Sequence, residues 1–531
     1  MTVAGDAATV VGLAAFAATG LLGRRGWGGD GPVPRGRDPD RHRRSSGLDP
    51  GTRRTAPSHR PVVAHPAGRR VIFAAPVASA RWARGRDLAT LTVATRRRDR
   101  RSAPPARLVI GRSGRRTLAA EPGQSVIVFG PTQSRKTTGF AIPALVDWPG
   151  PVVATSVKGD LFSSTSEERR RRGAVVCFDP SGTIGAPTVG WSPLHRARTW
   201  PAARRMASAL TDTAKGEHKG MADGDFWYAT AAKLLAPLLF AAAATQGSMA
   251  DVVRWVDTQE EVEVLDLLYG VGVPEAVDAA RACFAKEDRQ RGSIYTTAET
   301  VMAPFADQAH VEMTGEVDPP TLISGANTLY LCAPSHEQQR LRPLFVGVVR
   351  DILAEVYERV TRSGRPLHPP LLLLLDEAAN IAPLPELDAV ASTAAGQGIQ
   401  LVTIWQDIAQ ITARYGARGA TVVNNHRAKV FLSGISDPGT LDQASHLIGE
   451  AERPIRTRTS GAAGGATTSD TPGYRRLVPP DALRRIPPGH GVLVYGSLPP
   501  ARITLRAEPI GTDRGSVPRR SRWAMMGADG R

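Results

Sequence analysis

The feature that most constrains the fold is the segment Gly130 to Thr138 (GPTQSRKTT), which lies between a strand-like and a helix-like stretch. The β-branched run from Ser125 to Gly130 (SVIVFG) precedes it and is typical of a strand buried in a parallel sheet. The apolar stretch from Thr138 to Val146 follows it and is compatible with a helix. Strand, loop and helix in this order are the context that a phosphate-binding P-loop requires. The sequence therefore predicts an α/β nucleotide-binding domain.

The loop itself offers the groups that bind phosphate in such a context. Successive backbone N–H groups and the N-terminus of the following helix would surround the β-phosphate. Lys136 would pair with the β- and γ-phosphates, and the Thr137 hydroxyl would hold Mg²⁺. The predicted nucleotide-binding residues are Gly130, Pro131, Thr132, Gln133, Ser134, Arg135, Lys136, Thr137 and Thr138.

One position departs from the usual P-loop pattern, which has glycine immediately before the lysine. Arg135 occupies that place. Glycine is usual there because the chain turns tightly, with no room for a side chain beside the nucleotide. Arg135 therefore either points outward or weakens nucleotide binding, and the motif leaves both possibilities open.

A second apolar run supplies acidic residues. Pro370 to Leu375 is followed directly by Asp376 and Glu377, which is the form of a Walker B strand. Asp376 at the strand end would complete the coordination of Mg²⁺. Glu377 projects one residue further and would polarise the water that attacks the γ-phosphate. An apolar strand ending in a solvated acidic turn is the alternative, and the P-loop in the same chain argues against it.

A third apolar run, Ile399 to Trp405, ends in Gln406. A polar side chain at the carboxyl end of a neighbouring parallel strand is well placed to sense the γ-phosphate or to orient the attacking water. The cofactors expected from these motifs are ATP and Mg²⁺. The predicted catalytic residues are Lys136, Glu377 and Gln406, and the predicted metal ligands are Thr137 and Asp376.

The two main motifs lie far apart in the chain, at Lys136 and Asp376, so a separate lobe must intervene. We expect an all-helical inserted domain at 200–310, between two parts of the nucleotide-binding domain at 105–199 and 311–510. Helical periodicity supports this interpretation, because the insertion has almost no β-branched runs. The predicted helical stretches are Ala202–Thr211, Phe226–Thr245, Met249–Leu268 and Ala276–Ala285.

The N-terminus carries an apolar stretch from Ala7 to Gly23, free of charged residues and followed at once by Arg24 and Arg25. Its length is at the lower limit for a transmembrane helix. The arginines after it favour an orientation in which the rest of the chain lies on the cytoplasmic side. We therefore expect a transmembrane anchor at 1–25. The protein would be single-pass in the cytoplasmic (inner) membrane, with the ATPase domain in the cytoplasm. A short apolar tail is the alternative.

The net charge of +17 is concentrated in one stretch, because 24 Arg, no Lys and 6 Asp lie between Arg24 and Arg116. We expect an Arg/Pro/Gly-rich linker at 26–104 and a small basic tail at 511–531. A basic linker suits lipid headgroups or nucleic acid, although a solvated linker needs no ligand. With 3 Cys in 531 residues, a disulfide framework is excluded and buried free thiols are expected.

Taken in order, the motifs resemble those of the TraG/TraD-like type IV coupling proteins, the membrane-anchored hexameric ATPases of conjugative DNA transfer and type IV secretion. The resemblance covers about 105–510. The segments that carry it are GPTQSRKTT, VVATSVKGDLF, VVCFDPSG, GWSPL, DFWYATAAKLLAPLLFAAA, LLLLLDEAANI, GQGIQLVTIWQDIAQI and NNHRAKVFLSGISDPGTLDQASHLIG.

The resemblance implies a RecA-like P-loop NTPase fold with an inserted all-helical domain and an N-terminal membrane anchor. It also implies a homo-oligomeric ring, expected as a hexamer. The implied activity is ATP hydrolysis coupled to recruitment and translocation of DNA into a secretion channel. The implied partners are single- or double-stranded DNA, a relaxase or other secreted substrate, components of the type IV secretion channel, and the membrane.

In one respect the sequence departs from this family. Many relatives carry a basic residue just before the Gly-Ile that opens the third strand, whereas this chain has the segment Ala394 to Ile399 (AAGQGI) there. Arg414 or Arg427 lies nearby and could serve instead, although a surface arginine is the simpler interpretation of each.

Three other functions remain open from the sequence. One is a weakly hydrolysing or inactive substrate-receptor scaffold of the secretion system. The second is a septal double-strand DNA translocase of the FtsK/TraB kind, which a C-terminal winged-helix module would support. The third is a coupling ATPase that exports protein.

Overall fold

The computed structural model describes residues 79–93, 106–215, 224–308, 313–460 and 466–506. The expected anchor at 1–25, most of the expected linker and the expected tail at 511–531 lie outside the described residues.

The strands, in chain order, are β1 (Thr92–Val93), β2 (Val109–Ser113), β3 (Arg116–Ala119), β4 (Val126–Phe129), β5 (Val152–Ser156), β6 (Val175–Phe178), β7 (Thr188–Gly190), β8 (Met313–Glu316), β9 (Thr328–Cys332), β10 (Leu371–Leu375), β11 (Ile399–Trp405), β12 (Ala428–Leu432), β13 (Glu450–Ser460), β14 (Ala466–Arg476), β15 (His490–Tyr495) and β16 (Ala501–Thr504).

The helices, in chain order, are α1 (Ile142–Asp147), α2 (Asp160–Arg170), α3 (Trp200–Ala214), α4 (Gly224–Ala244), α5 (Met249–Asp257), α6 (Val262–Val271), α7 (Pro274–Phe284), α8 (Asp288–Gln308), α9 (Pro319–Leu322), α10 (Gln338–Ser363), α11 (Leu387–Gln397), α12 (Ile408–Tyr415), α13 (Gly419–Asn425), α14 (Pro438–Ile448) and α15 (Pro480–Arg484).

All strands except β13 and β14 form one sheet, in the order β1-β3-β2-β16-β15-β12-β4-β11-β10-β5-β9-β6-β7-β8. The neighbours from β12 to β8 run parallel, and the pairs from β12 to β1 at the other end are antiparallel. The parallel strands therefore end at a common carboxyl edge, which is where ligands bind in open α/β sheets.

Both faces of the parallel strands are buried, as their continuous apolar sequences predict. Ile127 and Phe129 of β4 belong to the apolar core on one side of the sheet. Val126 and Val128 belong to the core on the other side. Because successive side chains of a strand alternate between faces, this strand contributes to both cores and gives a three-layer arrangement.

Helices α3 to α8 lie between β7 and β8 at one end of the sheet order and form a helical lobe. The lobe is the all-helical insertion expected from the distance between the two motifs. One predicted helix, Met249–Leu268, is two helices, with a break at which Gln259 adopts a φ of 52°. Helix α8 was missed, because its Thr-rich sequence lacks a clear apolar period.

Among the described residues, α4 is long and apolar enough to cross a membrane by length and composition, with a mean hydropathy of 1.4. However, 61% of this apolar stretch is buried within the protein. It packs against α3, α5, α7 and α8, which is the position of a core helix.

A buried carboxylate joins α10 to the segment between β7 and α3. The Asp351 carboxylate accepts hydrogen bonds from Trp191 Nε1 (3.0 Å) and Arg196 Nε, and His195 Nε2 lies 2.9 Å from it. Burial by itself raises the pKa of Asp351, but these partners hold the pKa below its ordinary value. The segment that leads into the lobe is thus fixed to α10 by the hydrogen-bonded and positively charged partners of a buried carboxylate.

Residues 79–93, which fall within the expected linker, contain buried side chains. Leu88 and Leu91 are 2% and 0% exposed, and Thr92 pairs with Leu118 of β3. Part of this arginine-rich stretch therefore belongs to the folded core. The three cysteines are free and buried, as expected.

Candidate nucleotide-binding site

The three motif strands are neighbours in the sheet, with β11 between β4 and β10. Phe129 pairs with Trp405, and Leu375 pairs with Thr403. The Gly130 N–H extends the β4 pairing by donating to the Trp405 carbonyl at 2.9 Å. The P-loop, Gln406 and the Asp376–Glu377 pair therefore meet at the same carboxyl edge.

The P-loop is tightly folded on itself. A Cβ at Gly130 would lie 2.5 Å from Ser134 Oγ, so a larger residue at position 130 would require Ser134 to move. Ser134 is only 2% exposed, and its Oγ has no hydrogen-bond partner among the described residues. A buried hydroxyl without a partner is costly, and a phosphate oxygen would satisfy it.

Arg135 adopts the backbone conformation that the usual glycine would have. Its φ is 66°, in the left-handed region that costs most non-glycine residues about 1–2 kcal/mol. Its side chain is exposed and lies against Gly489, whose ideal Cβ position is 3.5 Å from Arg135 Cδ and Nη1. Of the two possibilities left by the sequence, the structure places the guanidinium outward.

Lys136 and Thr137 begin the helix that follows the loop. Thr137–Ala141 is a π-helical turn that continues into α1, with the Gly139 N–H donating to the Arg135 carbonyl at 2.8 Å. Lys136 is 9% exposed. A nearly buried ammonium at a helix N-terminus provides a strong attraction for phosphate.

Thr137 and Asp376 are in direct contact. Thr137 Oγ1 donates to Asp376 Oδ2 at 3.2 Å, and Thr155 Oγ1 donates to the Asp376 carbonyl at 2.7 Å. The structure thus brings the two predicted metal ligands together. A hydroxyl and a carboxylate at this distance suit Mg²⁺, which prefers oxygen ligands and commonly takes few of them from protein.

The Asp376 carboxyl is 5% exposed, and burial raises its pKa to about 6. The positive charge of Lys136 and the bond from Thr137 act in the opposite direction, whereas Glu377 and Asp160 raise the pKa further. A cation at this edge would favour the carboxylate form, because it compensates the neighbouring acids.

Glu377 is half-buried and follows Asp376 with a φ of 54°, which turns the chain sharply after the strand. Asn380 Nδ2 donates to Glu377 Oε2 at 3.4 Å. Asn380 was not among the predicted site residues. Its position three residues after the acid, in a turn, is the local signal that could have identified it.

Gln406 is half-buried at the end of β11, and its backbone N–H donates to Gln410 Oε1 at 3.0 Å. Asp407 caps α12 by accepting from the Gln410 N–H at 2.9 Å. The residue after the strand is therefore held by a cap from the next helix, which fixes its backbone beside the P-loop strand.

Asp160 is a second acid that was not predicted as a site residue. It opens α2, directly after the Lys158–Gly159 turn, and its Oδ1 accepts from Ser156 Oγ at 2.8 Å. Because β5 is the neighbour of β10, this turn lies at the same carboxyl edge as Asp376. Its negative charge contributes to the raised pKa of Asp376.

The two arginines considered as substitutes for the missing basic residue are differently placed. Arg427 is engaged within the chain, because its Nε lies 3.2 Å from Glu121 Oε2 and its guanidinium lies over the Tyr495 ring. Arg414 is half-buried in α12.

Two open clefts lie away from the P-loop, at the base of the helical lobe. One, of about 780 Å³, is lined by Trp191 and Met249, and the other, of about 390 Å³, lies between α3 and α10. The motif residues instead form an open sheet edge, which suits a ligand held mainly by its phosphates.

A family model described as type IV secretory system conjugative DNA transfer matches residues 87–506. The conjugal transfer protein TraG of Escherichia coli is 25% identical over 411 residues, which cover 68% of this chain and 62% of TraG. Protein VirD4 of Rhizobium radiobacter is 25% identical over 338 residues, which cover 61% of this chain and 48% of VirD4. The chain spans about three fifths of the length of the TraG relatives that it matches.

Solved structures of the plasmid coupling protein TrwB are similar in fold. TrwB in complex with ADP and Mg²⁺ matches with a TM-score of 0.56 at 20% identity, covering 82% of this chain and 96% of the TrwB chain. Unbound TrwB, in a monoclinic form, matches with a TM-score of 0.57 at 19% identity, covering 77% of this chain and 90% of the TrwB chain. The predicted RecA-like α/β fold with an inserted helical domain is thereby confirmed.

Proposed function

Because the chain belongs to the type IV secretory system conjugative DNA transfer family, we propose that it is a ring-forming ATPase that moves DNA. Membership in this family confirms the resemblance seen in its motifs. In our proposal, ATP hydrolysis drives the recruitment and translocation of DNA, or of a relaxase–DNA complex, into a type IV secretion channel. The observation that carries the proposal is the 3.2 Å contact between Thr137 and Asp376, beside the nearly buried Lys136.

The described residues fit Mg²⁺ and ATP. The loop from Gly130 to Thr138 offers backbone N–H groups and the partnerless Ser134 hydroxyl to the phosphates. Lys136 would hold the β- and γ-phosphates, and Thr137 with Asp376 would hold the metal ion. Bound Mg²⁺ and ATP would supply the phosphoryl group and neutralise charge as the terminal bond breaks.

Two further side chains would act on the attacking water. Glu377 would accept hydrogen bonds from it and draw its proton away, with Asn380 orienting the carboxylate through their 3.4 Å contact. Gln406 would orient the water or sense the γ-phosphate from β11, the strand between the P-loop strand and β10. Each of these three side chains is half-buried, which leaves it accessible to water.

The partners in this proposal follow from the relatives. TraG and VirD4 are among the relatives, and TraG is named a conjugal transfer protein. We propose that this chain likewise acts with DNA, a relaxase or other secreted substrate and channel components. It would do so as a hexamer, anchored by residues 1–25 in the cytoplasmic membrane, with the ATPase domain in the cytoplasm.

The test is the steady-state ATPase rate of the full-length protein in detergent, measured without DNA, with single-stranded DNA and with double-stranded DNA. Lys136→Ala serves as the blank. Lys233→Ala, at an exposed lysine of α4, is the matched control for loss of a lysine. We expect DNA to stimulate turnover well above the blank in the wild type and in Lys233→Ala.

Two other outcomes would change the conclusion. If nucleotide binds but turnover stays at the level of Lys136→Ala, the protein is a substrate-receptor scaffold rather than a motor. If turnover is present but no DNA form stimulates it, a protein-exporting ATPase becomes the better interpretation.

A further inference from the structure

Strands β13 and β14 form a ribbon separate from the main sheet. They pair antiparallel from Glu450 with Arg476 to Ser460 with Ala466. At about 3.4 Å per residue, the ribbon is roughly 35 Å long. An isolated two-stranded ribbon is marginally stable in water, so a long one is expected to have a binding partner.

Among the residues whose side chains the structure describes, the contacts that tie the ribbon to the rest of the chain lie at its base. The Ala80 N–H donates to the Glu450 carbonyl at 2.8 Å, and the Glu452 N–H donates to Ser79 Oγ at 2.7 Å. Arg476 Nη1 donates to Asp442 at 2.5 Å. The base is therefore firmly placed and can present the remaining length of the two strands.

Beyond the base, the ribbon is basic. Arg453 is exposed, and among the described residues no ion pair joins it to a carboxylate. Arg475 is also exposed but lies opposite Ala451, at the base. Two more, Arg456 and Arg458, lie further along β13, and the one acid opposite them in register is Asp470. Arginines are therefore spaced along the length of β13.

The remaining composition argues against a protein partner. From 453 to 460 and from 466 to 475, the large apolar side chains are Ile455 and Tyr474. Protein interfaces draw most of their energy from buried aromatic and apolar anchors, and this stretch has few. The same stretch has seven serines and threonines, which together with arginine are the side chains that bind phosphate in nucleic-acid complexes.

The ribbon also has few of the aromatic side chains on which binding of single-stranded DNA depends. Non-specific binding of single strands depends on aromatic side chains on which successive bases stack. Tyr474 is 59% exposed but lies near the base, and the strands beyond it carry no aromatic residue. A duplex has its bases already stacked, and its major groove is wide enough to admit a two-stranded ribbon.

We propose that the β13–β14 ribbon binds the phosphate backbone of duplex DNA, through Arg453, Arg456 and Arg458. This inference rests on the proposed function, to which it adds the contacting element and a preference for the duplex. Binding through these arginines would be independent of base sequence and would weaken steeply with salt, because each phosphate contact releases counterions.

The test compares equilibrium binding of the full-length protein to a labelled duplex over a range of salt concentrations. The variant is Arg453→Ser/Arg456→Ser/Arg458→Ser. We expect its duplex affinity at about 100 mM salt to fall tenfold or more. The slope of log affinity against log salt should become shallower by about 2.7, or roughly 0.9 for each lost phosphate contact. DNA-independent ATPase activity should be unchanged.

Three controls keep the result specific. Arg171→Ser/Arg289→Ser/Arg362→Ser removes the same charge from exposed sites outside the ribbon and should keep the wild-type slope. Replacing the three ribbon arginines by lysine should keep the slope as well, because the charge remains. Tyr474→Ser alters an exposed ribbon side chain without a change of charge and should have no effect on duplex binding.

Several results would overturn the proposal. An unchanged slope and affinity in the serine variant would do so, as would a loss confined to single-stranded DNA. Loss of ring assembly in that variant, with DNA binding retained, would identify the ribbon as a contact between subunits. If the wild type itself binds no DNA, the proposed function fails together with this inference.

Discussion

Thr137 and Asp376 are separated by 239 positions in the chain, yet Thr137 Oγ1 donates to Asp376 Oδ2 at 3.2 Å. The contact exists because β4 and β10 lie on either side of β11 and end at the same edge of the sheet. It joins the hydroxyl that follows Lys136 to the carboxylate of a second strand, which is the arrangement that Mg²⁺ bound to ATP would need.

We predict that Thr137→Ala raises the Mg²⁺ concentration needed for half-maximal ATPase activity by about tenfold, because one metal ligand is lost. Thr137→Ser keeps the hydroxyl and is the matched control, so its Mg²⁺ dependence should stay close to that of the wild type. Combined with Asp376→Asn, the effect of Thr137→Ala should be less than additive, because both side chains hold the same ion. Full additivity would mean that the two residues act separately.

We predict that Glu377→Gln still binds ATP but turns it over at least about a hundredfold more slowly, because an amide cannot accept the proton of the attacking water. Asn380→Ala should lower the rate less, since it only frees the carboxylate to move. Glu167→Gln, at an exposed position of α2, is the control. Equal rates for the wild type and Glu377→Gln, measured at saturating ATP, would remove the catalytic assignment.

The sequence was sufficient to predict the motifs that are local in the chain. The P-loop and the acidic end of β10 each consist of consecutive residues, so composition and spacing identify them. Their meeting in space follows from one further rule, that parallel strands end at a common edge. For the same reason, the insertion between Lys136 and Asp376 was predictable as a lobe but not in its helix boundaries.

Features that depend on strand order were not predictable in the same way. Asp160 lies near Asp376 because β5 is the neighbour of β10, and no pattern in either strand specifies that neighbour. Leu88 and Leu91 lie in an arginine-rich stretch whose composition is that of a linker, and only packing against the sheet shows that they belong to the core.

We predict that Arg135→Gly stabilises the protein by about 0.5–1 kcal/mol, because glycine adopts a φ of 66° without the strain that arginine suffers. ATP affinity should stay within about threefold of the wild type, since the Arg135 side chain is exposed and lies against Gly489. Arg135→Ala removes the side chain but keeps the strain, so it should not stabilise. Thermal unfolding and ATP titration measure both effects. A tenfold loss of ATP affinity in both variants would show that the guanidinium contacts the nucleotide.

The last prediction concerns acid stability and His426, a fully buried histidine behind the Gln406 strand. Its Nε2 lies 3.1 Å from Thr403 Oγ1, and its Nδ1 lies 2.7 Å from the Val422 carbonyl. Burial lowers the pKa of His426 to about 4, well below the 6.5 of a free histidine. Between these two values the unfolded chain binds the proton and the folded chain does not, so stability falls as the pH falls from 6.5 towards 4.

The size of the effect follows from the shift, at about 1.4 kcal/mol for each pH unit. Between pH 7.5 and pH 5.0, protonation of His426 in the unfolded chain should cost the wild type about 2 kcal/mol in free energy of unfolding. His426→Gln cannot take up this proton, so its loss over the same interval should be smaller by that amount, even if the variant is less stable at both pH values. His446→Gln, at an exposed histidine of α14, is the control for replacing an imidazole by an amide. Parallel losses in the wild type and His426→Gln would show that the folded protein takes up the His426 proton over the same pH range as the unfolded chain, since the titration of His426 then leaves the unfolding equilibrium unchanged.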